Sequence, residues 1–200
     1  GDRFHLIELV RHPLYMIKQL YLYMDAYGND PRDFGTWYDY EGKALPYFAK
    51  GWEARYVHSN KMDRTIYSIA HITAQSEAVL AGLFEQQRAH VMLLPFERFV
   101  WDPWPYLRKL EALLDTKVTP RTRREMKRQR VPRRRIADGL PLKVYKRYGW
   151  EPPLKGGDER RELEKRRQFA AAEASPEGLR VLDELCARYE VEHLSGLPGW

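Results

Sequence analysis

The chain has one cysteine, Cys186, so no disulfide can close within it and no multi-cysteine metal site can form. Its six histidines stand apart, with none of the short spacings that hold zinc, and no structural metal is expected. No apolar run approaches the length of a membrane span. No secretory leader is visible either, since Gly1-Asp2-Arg3 leads almost directly into a strand. A reducing, cytoplasmic setting is the expectation. Also missing is a glycine-rich turn at a helix start, the usual cradle for a phosphate. The only glycine pair, Gly156-Gly157, runs into Asp158 and Glu159.

Charge is plentiful but unevenly placed. The chain of 200 residues carries a formal net charge of +6. Residues 121–135 hold Arg121, Arg123, Arg124, Lys127, Arg128, Arg130, Arg133, Arg134 and Arg135 against Glu125 alone, and the remainder is slightly acidic. The basic character is therefore a local device. It reads as a phosphate site, as a nucleic-acid patch, or as a solvated charged face. The segment holds no aromatic residue, which counts against recognition of bases by stacking.

Leu6 to Val10 is a short apolar-rich run of strand type. Leu14, Ile17, Tyr21 and Met24 then recur at helical steps, with Pro13 suited to the first turn. Arg11 stands at the mouth of this strand-to-helix turn, where open α/β sheets bind ligands. It reads as a fork for phosphate or carboxylate, or as a local ion pair.

Residues 37 to 56 are rich in rings: Trp37, Tyr38, Tyr40, Tyr47, Phe48, Trp52 and Tyr56. Gly35, Gly42, Pro46 and Gly51 predict an irregular excursion, either a binding wall or a cover for the sheet edge. A helix is predicted over 63–88 and a strand from Val91 to Pro95. A further helix opens at Pro103, capped by Asp102. After the basic segment come a short helix over 140–148, a breaker-rich connection, a highly charged helix over 158–173 and a docked helix over 176–191. The order predicts an α/β layer structure with parallel strands, of which only two are evident.

Three stretches resemble the sulfotransferase family that uses 3′-phosphoadenosine 5′-phosphosulfate. Val10-Arg11-His12-Pro13 matches the strand-end arginine motif that holds the donor's 3′-phosphate, with Gln19 where the family has a serine. Val91 through Phe96-Glu97-Arg98-Phe99 to Asp102-Pro103 resembles the family's strand, Tyr-Glu-Asp-Leu step and Asp-Pro helix start, with Phe96 for tyrosine and Arg98 for aspartate. Val131-Pro132-Arg133-Arg134-Arg135 through Gly139 resembles the basic loop that closes over the donor. The resemblance spans residues 5–150 and implies a three-layer, P-loop-NTPase-like parallel sheet, incomplete at its N-terminal side, with residues 151–200 a helical extension. It implies donor contacts at Arg11, Gln19, Arg133, Arg134 and Arg135, a structural role for Glu97, and an acceptor hydroxyl or amine on a small molecule, carbohydrate or lipid. The family's phosphosulfate loop and usual base would lie before Gly1, so the expectation is a truncated or degenerate member. His12 and His58 are the acid–base candidates within the chain.

Overall fold

The computed structural model describes residues 4–26, 36–138, 158–197 and 200. Residues 27–35, the helix expected over 140–148 and Gly156-Gly157 lie outside them. The fold is mixed α/β and mainly helical. Strand β1 (Leu6–Val10) leads into helix α1 (Pro13–Ala26), and strand β4 (Val91–Pro95) leads into α5 (Phe96–Trp101). β1 and β4 pair in parallel, with Leu6 opposite Val91 and Val10 opposite Pro95. The two parallel strands expected from the sequence are therefore neighbours, and their C-terminal ends lie side by side.

Between them stand an antiparallel hairpin, a single turn of 3-10 helix (Tyr47–Ala49), α2 (Glu53–His58), α3 (Lys61–Ala81) and α4 (Glu85–Arg88). The hairpin, β2 (Trp37–Tyr40) and β3 (Lys43–Pro46), corrects the irregular excursion expected there. Gly42 was counted as a breaker of regular structure, yet it builds some. Glu41 and Gly42 both have positive φ, 51° and 76°. That is the backbone a two-residue hairpin loop requires if it is to match the twist of its strands. The long helix expected over 63–88 is likewise divided, ending at Ala81 with Gly82 as its cap.

Helix α6 (Trp104–Leu113) follows, with Pro103 at its N-cap and Asp102 Oδ1 accepting from the Trp104 N–H. The basic segment forms α7 (Pro120–Arg128) and a 3-10 turn at Ile136–Asp138. Helices α8 (Glu159–Ala171) and α9 (Pro176–Tyr189) complete the body, and a π-turn (Glu190–Leu194) extends α9. They are not a loose appendage. Ala170 of α8 and Leu182, Leu185 and Cys186 of α9 share one core with Leu14 and Ile17 of α1 and Ile66 and Ile69 of α3. Apolar spacing at three and four residues supplies each of these faces. A second core gathers Met24, Leu45, Phe48, Ala49 and Tyr56, and a third gathers Tyr15, Val100 and Ile136. No helix among the described residues is long and apolar enough to cross a membrane.

Candidate functional site

The register of the parallel pair creates the site. Because Val10 lies opposite Pro95, the next residues off the two strand ends are Arg11 on one side and Phe96 and Glu97 on the other. Residues 85 positions apart thereby meet at the C-terminal edge of the sheet, the edge at which parallel α/β structures bind ligands.

Glu97 is completely buried, and its carboxylate organises the turn. One oxygen accepts from the His12 backbone N–H at 3.3 Å and from the Tyr189 hydroxyl at 2.5 Å. The other faces the Arg11 Nε at 3.6 Å, an ion pair in which neither atom completes a hydrogen bond. Burial pushes the Glu97 carboxyl above its ordinary range, while the Tyr189 hydroxyl and the Arg11 cation pull it back.

Arg11 is thus anchored at its Nε and packed between rings. Its guanidinium carbon lies 4.7 Å from the Phe96 ring centre and 5.1 Å from that of Tyr15. Its side chain keeps 29% exposure, and its terminal nitrogens donate to no described residue. A guanidinium held by rings with its fork open suits a bidentate oxyanion.

Arg133 reaches the same Phe96 ring, 5.7 Å from its centre, from the far end of the basic segment. The segment is pinned there by the Arg133 N–H donating to the Val100 carbonyl at 2.7 Å. The Arg133 guanidinium also donates to the carbonyls of Gln129, Arg130 and Ile136, so it shapes the loop as well as charging it. Arg134 and Arg135 are exposed beside it. Gln19 is exposed on α1, one turn beyond Tyr15 and on the same helix face.

The two histidines are placed differently. His12 precedes α1 and is completely buried. Its Nδ1 accepts from the Leu14 N–H and its Nε2 lies 3.1 Å from Glu190, which fixes the neutral tautomer with the proton on Nε2. Both ring nitrogens are therefore engaged inside the fold. His58 ends α2, exposed, with Nδ1 on the Ala54 carbonyl; its neighbour Val57 packs in the hairpin core, apart from Arg11. The ring-rich segment also goes mainly into that core, around Met24. Met24 is nine residues along α1 from Tyr15, or roughly 13 Å. Trp37 and Tyr47 remain about half exposed.

Sequence reasoning passed over Tyr15, Tyr189, Glu190 and Arg166. Tyr15 had a signal, a ring four residues after Arg11. Arg166 of α8 had none: it stacks on the opposite partner of Arg11, the Tyr15 ring, at 4.5 Å, with its Nε on Glu162 at 2.8 Å. Glu159 of the same helix accepts from the Tyr15 hydroxyl at 2.7 Å. Helix-on-helix packing alone brings these groups in.

Burial holds the His12 pKa below its usual value, against the pull of Glu190 and with the Arg11 and Arg166 cations adding to the depression. A depressed histidine gives stability that is complete above its unfolded pKa of about 6.5 and is lost as the pH falls below it. The melting temperature should therefore drop between pH 7.5 and pH 5. His12→Asn keeps an acceptor for the Leu14 N–H but does not titrate, so its curve should be flatter over that window. Parallel curves for the two proteins would show that His12 is not the titrating group.

No protein-family model matches the chain, and neither a curated protein nor a solved structure matches it significantly.

Proposed function

We propose that this chain forms the 3′-phosphate half of the donor site in a sulfotransferase that uses 3′-phosphoadenosine 5′-phosphosulfate. The observation that carries the reading is Arg11: an arginine at a parallel strand end, tied back by buried Glu97, clamped by Phe96 and Tyr15, and with its fork open. The buried Arg11 Nε without a hydrogen-bond partner fits an occupant that would draw the guanidinium outward. Arg11 is the principal contact, Arg133 the second, and Gln19, Arg134 and Arg135 line the approach. When bound, the donor supplies an activated sulfuryl group for a hydroxyl or amine of the acceptor. This chain's arginines hold the nucleotide in place by its 3′-phosphate, which is catalysis by positioning.

The same reading makes β1 and β4 two strands of a wider three-layer parallel sheet. Parallel sheets are ordinarily covered on both faces and have more than two strands. On β1, Leu6, Ile7 and Leu9 are 40 to 57% exposed, apolar side chains suited to further cover. Cys186, buried in the core with its thiol pushed up to about 12, is suited to a reducing, cytoplasmic setting.

The test is thermal. Adenosine 3′,5′-bisphosphate should raise the melting temperature of the chain in a saturable way, because a ligand that binds only the folded state stabilises it by mass action. Adenosine 5′-monophosphate, which lacks the 3′-phosphate, should not. Equal shifts from both nucleotides, or none from either at millimolar concentration, would overturn the assignment.

A further inference from the structure

The register that sets Phe96 and Glu97 beside Arg11 also brings two side chains together at the opposite end of the sheet. Leu6 lies opposite Val91, so one step back along each strand sets His5 opposite His90. Their ring centres are 5.0 Å apart and their Nδ1 atoms 3.3 Å apart. Histidines that stand far apart in sequence thus include one pair that strand pairing makes neighbours.

Both residues are held from the backbone. The Leu6 N–H donates to the His90 carbonyl at 2.9 Å, and the His90 N–H donates to the Gln87 carbonyl at 2.9 Å. The Arg88 guanidinium, two residues before His90, is committed to the carbonyls of Ala81 and Leu83. His5 is exposed and His90 half-buried, so the pair is open to solvent.

The spacing of the nitrogens decides what the pair suits. Neutral rings can share an N–H···N bond, but 3.3 Å is longer than the roughly 2.7–3.2 Å of an ordinary bond from a nitrogen donor. Two imidazole nitrogens bound at about 2.0–2.1 Å to a tetrahedral zinc stand about 3.3–3.4 Å apart, which is the spacing found. Imidazole suits zinc, nickel and copper, whereas magnesium calls for oxygen ligands.

We propose that His5 and His90 form a two-histidine site for a divalent transition-metal cation, which staples β1 to β4 at their N-terminal ends. No third histidine, cysteine or carboxylate completes a ligand set among the described residues, so water fills the remaining positions and the cation exchanges. The site is therefore a labile staple, unlike the closed four-ligand sites that hold structural zinc. Roughly 20 Å of extended chain separates His5 from Arg11, so the staple does not depend on the donor reading.

Titration with zinc, nickel and magnesium chlorides, followed by melting temperature and by amide NMR spectra, tests the site. Zinc should raise the melting temperature in a saturable way and EDTA should reverse the rise, because a cation bound to the folded chain stabilises it by mass action. Magnesium should have no effect. His5→Gln and His90→Gln should each weaken zinc binding by at least about tenfold, since a lone imidazole loses the gain of binding through two linked ligands. His58→Gln, which leaves the pair intact, should bind zinc as the parent does. Substoichiometric nickel, a paramagnetic ion, should broaden the amide signals of Leu6 and Val91 first. Should either glutamine variant melt early, the nickel map of the parent carries the same test. Broadening centred on other histidines, zinc binding unchanged in both variants, or no response to zinc at millimolar concentration would overturn the proposal and leave a hydrogen-bonded pair only.

Discussion

Arg11→Ala should erase most of the melting-temperature rise that adenosine 3′,5′-bisphosphate gives the parent chain. A charged hydrogen bond is worth about 1.5–3 kcal/mol, so loss of the fork lowers affinity by roughly 10- to 100-fold. At a ligand concentration of 100 times Kd the parent gains about 2.7 kcal/mol; after a 100-fold loss the same ligand gives only about 0.4 kcal/mol. Alanine also deprives Glu97 of its cation, so the variant should melt lower even without ligand. Arg11→Lys separates the two effects. Lysine keeps a positive charge for Glu97 but presents a point charge without a fork. Its melting temperature without ligand should lie nearer the parent's, while the response to the bisphosphate stays small. A full response in Arg11→Ala would remove this residue from the site.

The strand–turn–helix unit around Arg11 was legible because two local signals agree there: an apolar run of strand length, and Pro13 opening a helical repeat. The parallel partner at Val91 to Pro95 was legible for the same reason. Local sequence could not give the register, which depends on packing, and it is the register that sets Phe96 and Glu97 against Arg11. The hairpin at 37–46 was missed because a glycine ends one kind of element and builds another. Only the positive φ shared by Glu41 and Gly42 shows which applies. The charged helix over 158–173 read as mostly solvated, and most of α8 is exposed. Its few inward positions matter more than their number suggests. Arg166 and Glu159 reach the Tyr15 ring, and Ala170 enters the main core.

The C-terminal helices hold the site in place as well as lining it. Tyr189, at the end of α9, donates to Glu97, which in turn accepts from the His12 N–H, and Glu190 takes the His12 ring, so the β1–α1 turn is tied to the far end of the chain both through Glu97 and directly. Arg98 donates to the carbonyls of His193 and Ser195 just beyond. The geometry of Arg11 therefore depends on where α9 sits, and the other end of α9 is fixed by a contact of a different kind.

At that end, Gly178→Ala should destabilise the chain strongly, against the ordinary expectation for a helix. In an exposed helix interior this exchange stabilises by about 0.5–1 kcal/mol. Here a Cβ on Gly178 would stand 2.1 Å from Asp63 Oδ1 and 3.0 Å from Asp63 Cγ. Asp63 is 6% exposed, and its carboxylate joins two helix starts. It accepts from the Ser175 N–H at 2.9 Å ahead of α9 and from the Asn60 side chain at 3.0 Å ahead of α3. Room for the methyl group comes only by displacing that carboxylate, which adds lost hydrogen bonds to overpacking. Each effect costs about 1–3 kcal/mol, so the net loss should be about 2–4 kcal/mol, a fall of roughly 5–12 °C in melting temperature. Asp63→Ala should itself destabilise, but in the double variant the methyl group has space, so the two losses should fall well short of additive. A Gly178→Ala protein as stable as the parent would show that α9 approaches α3 less closely than the Asp63 contact requires.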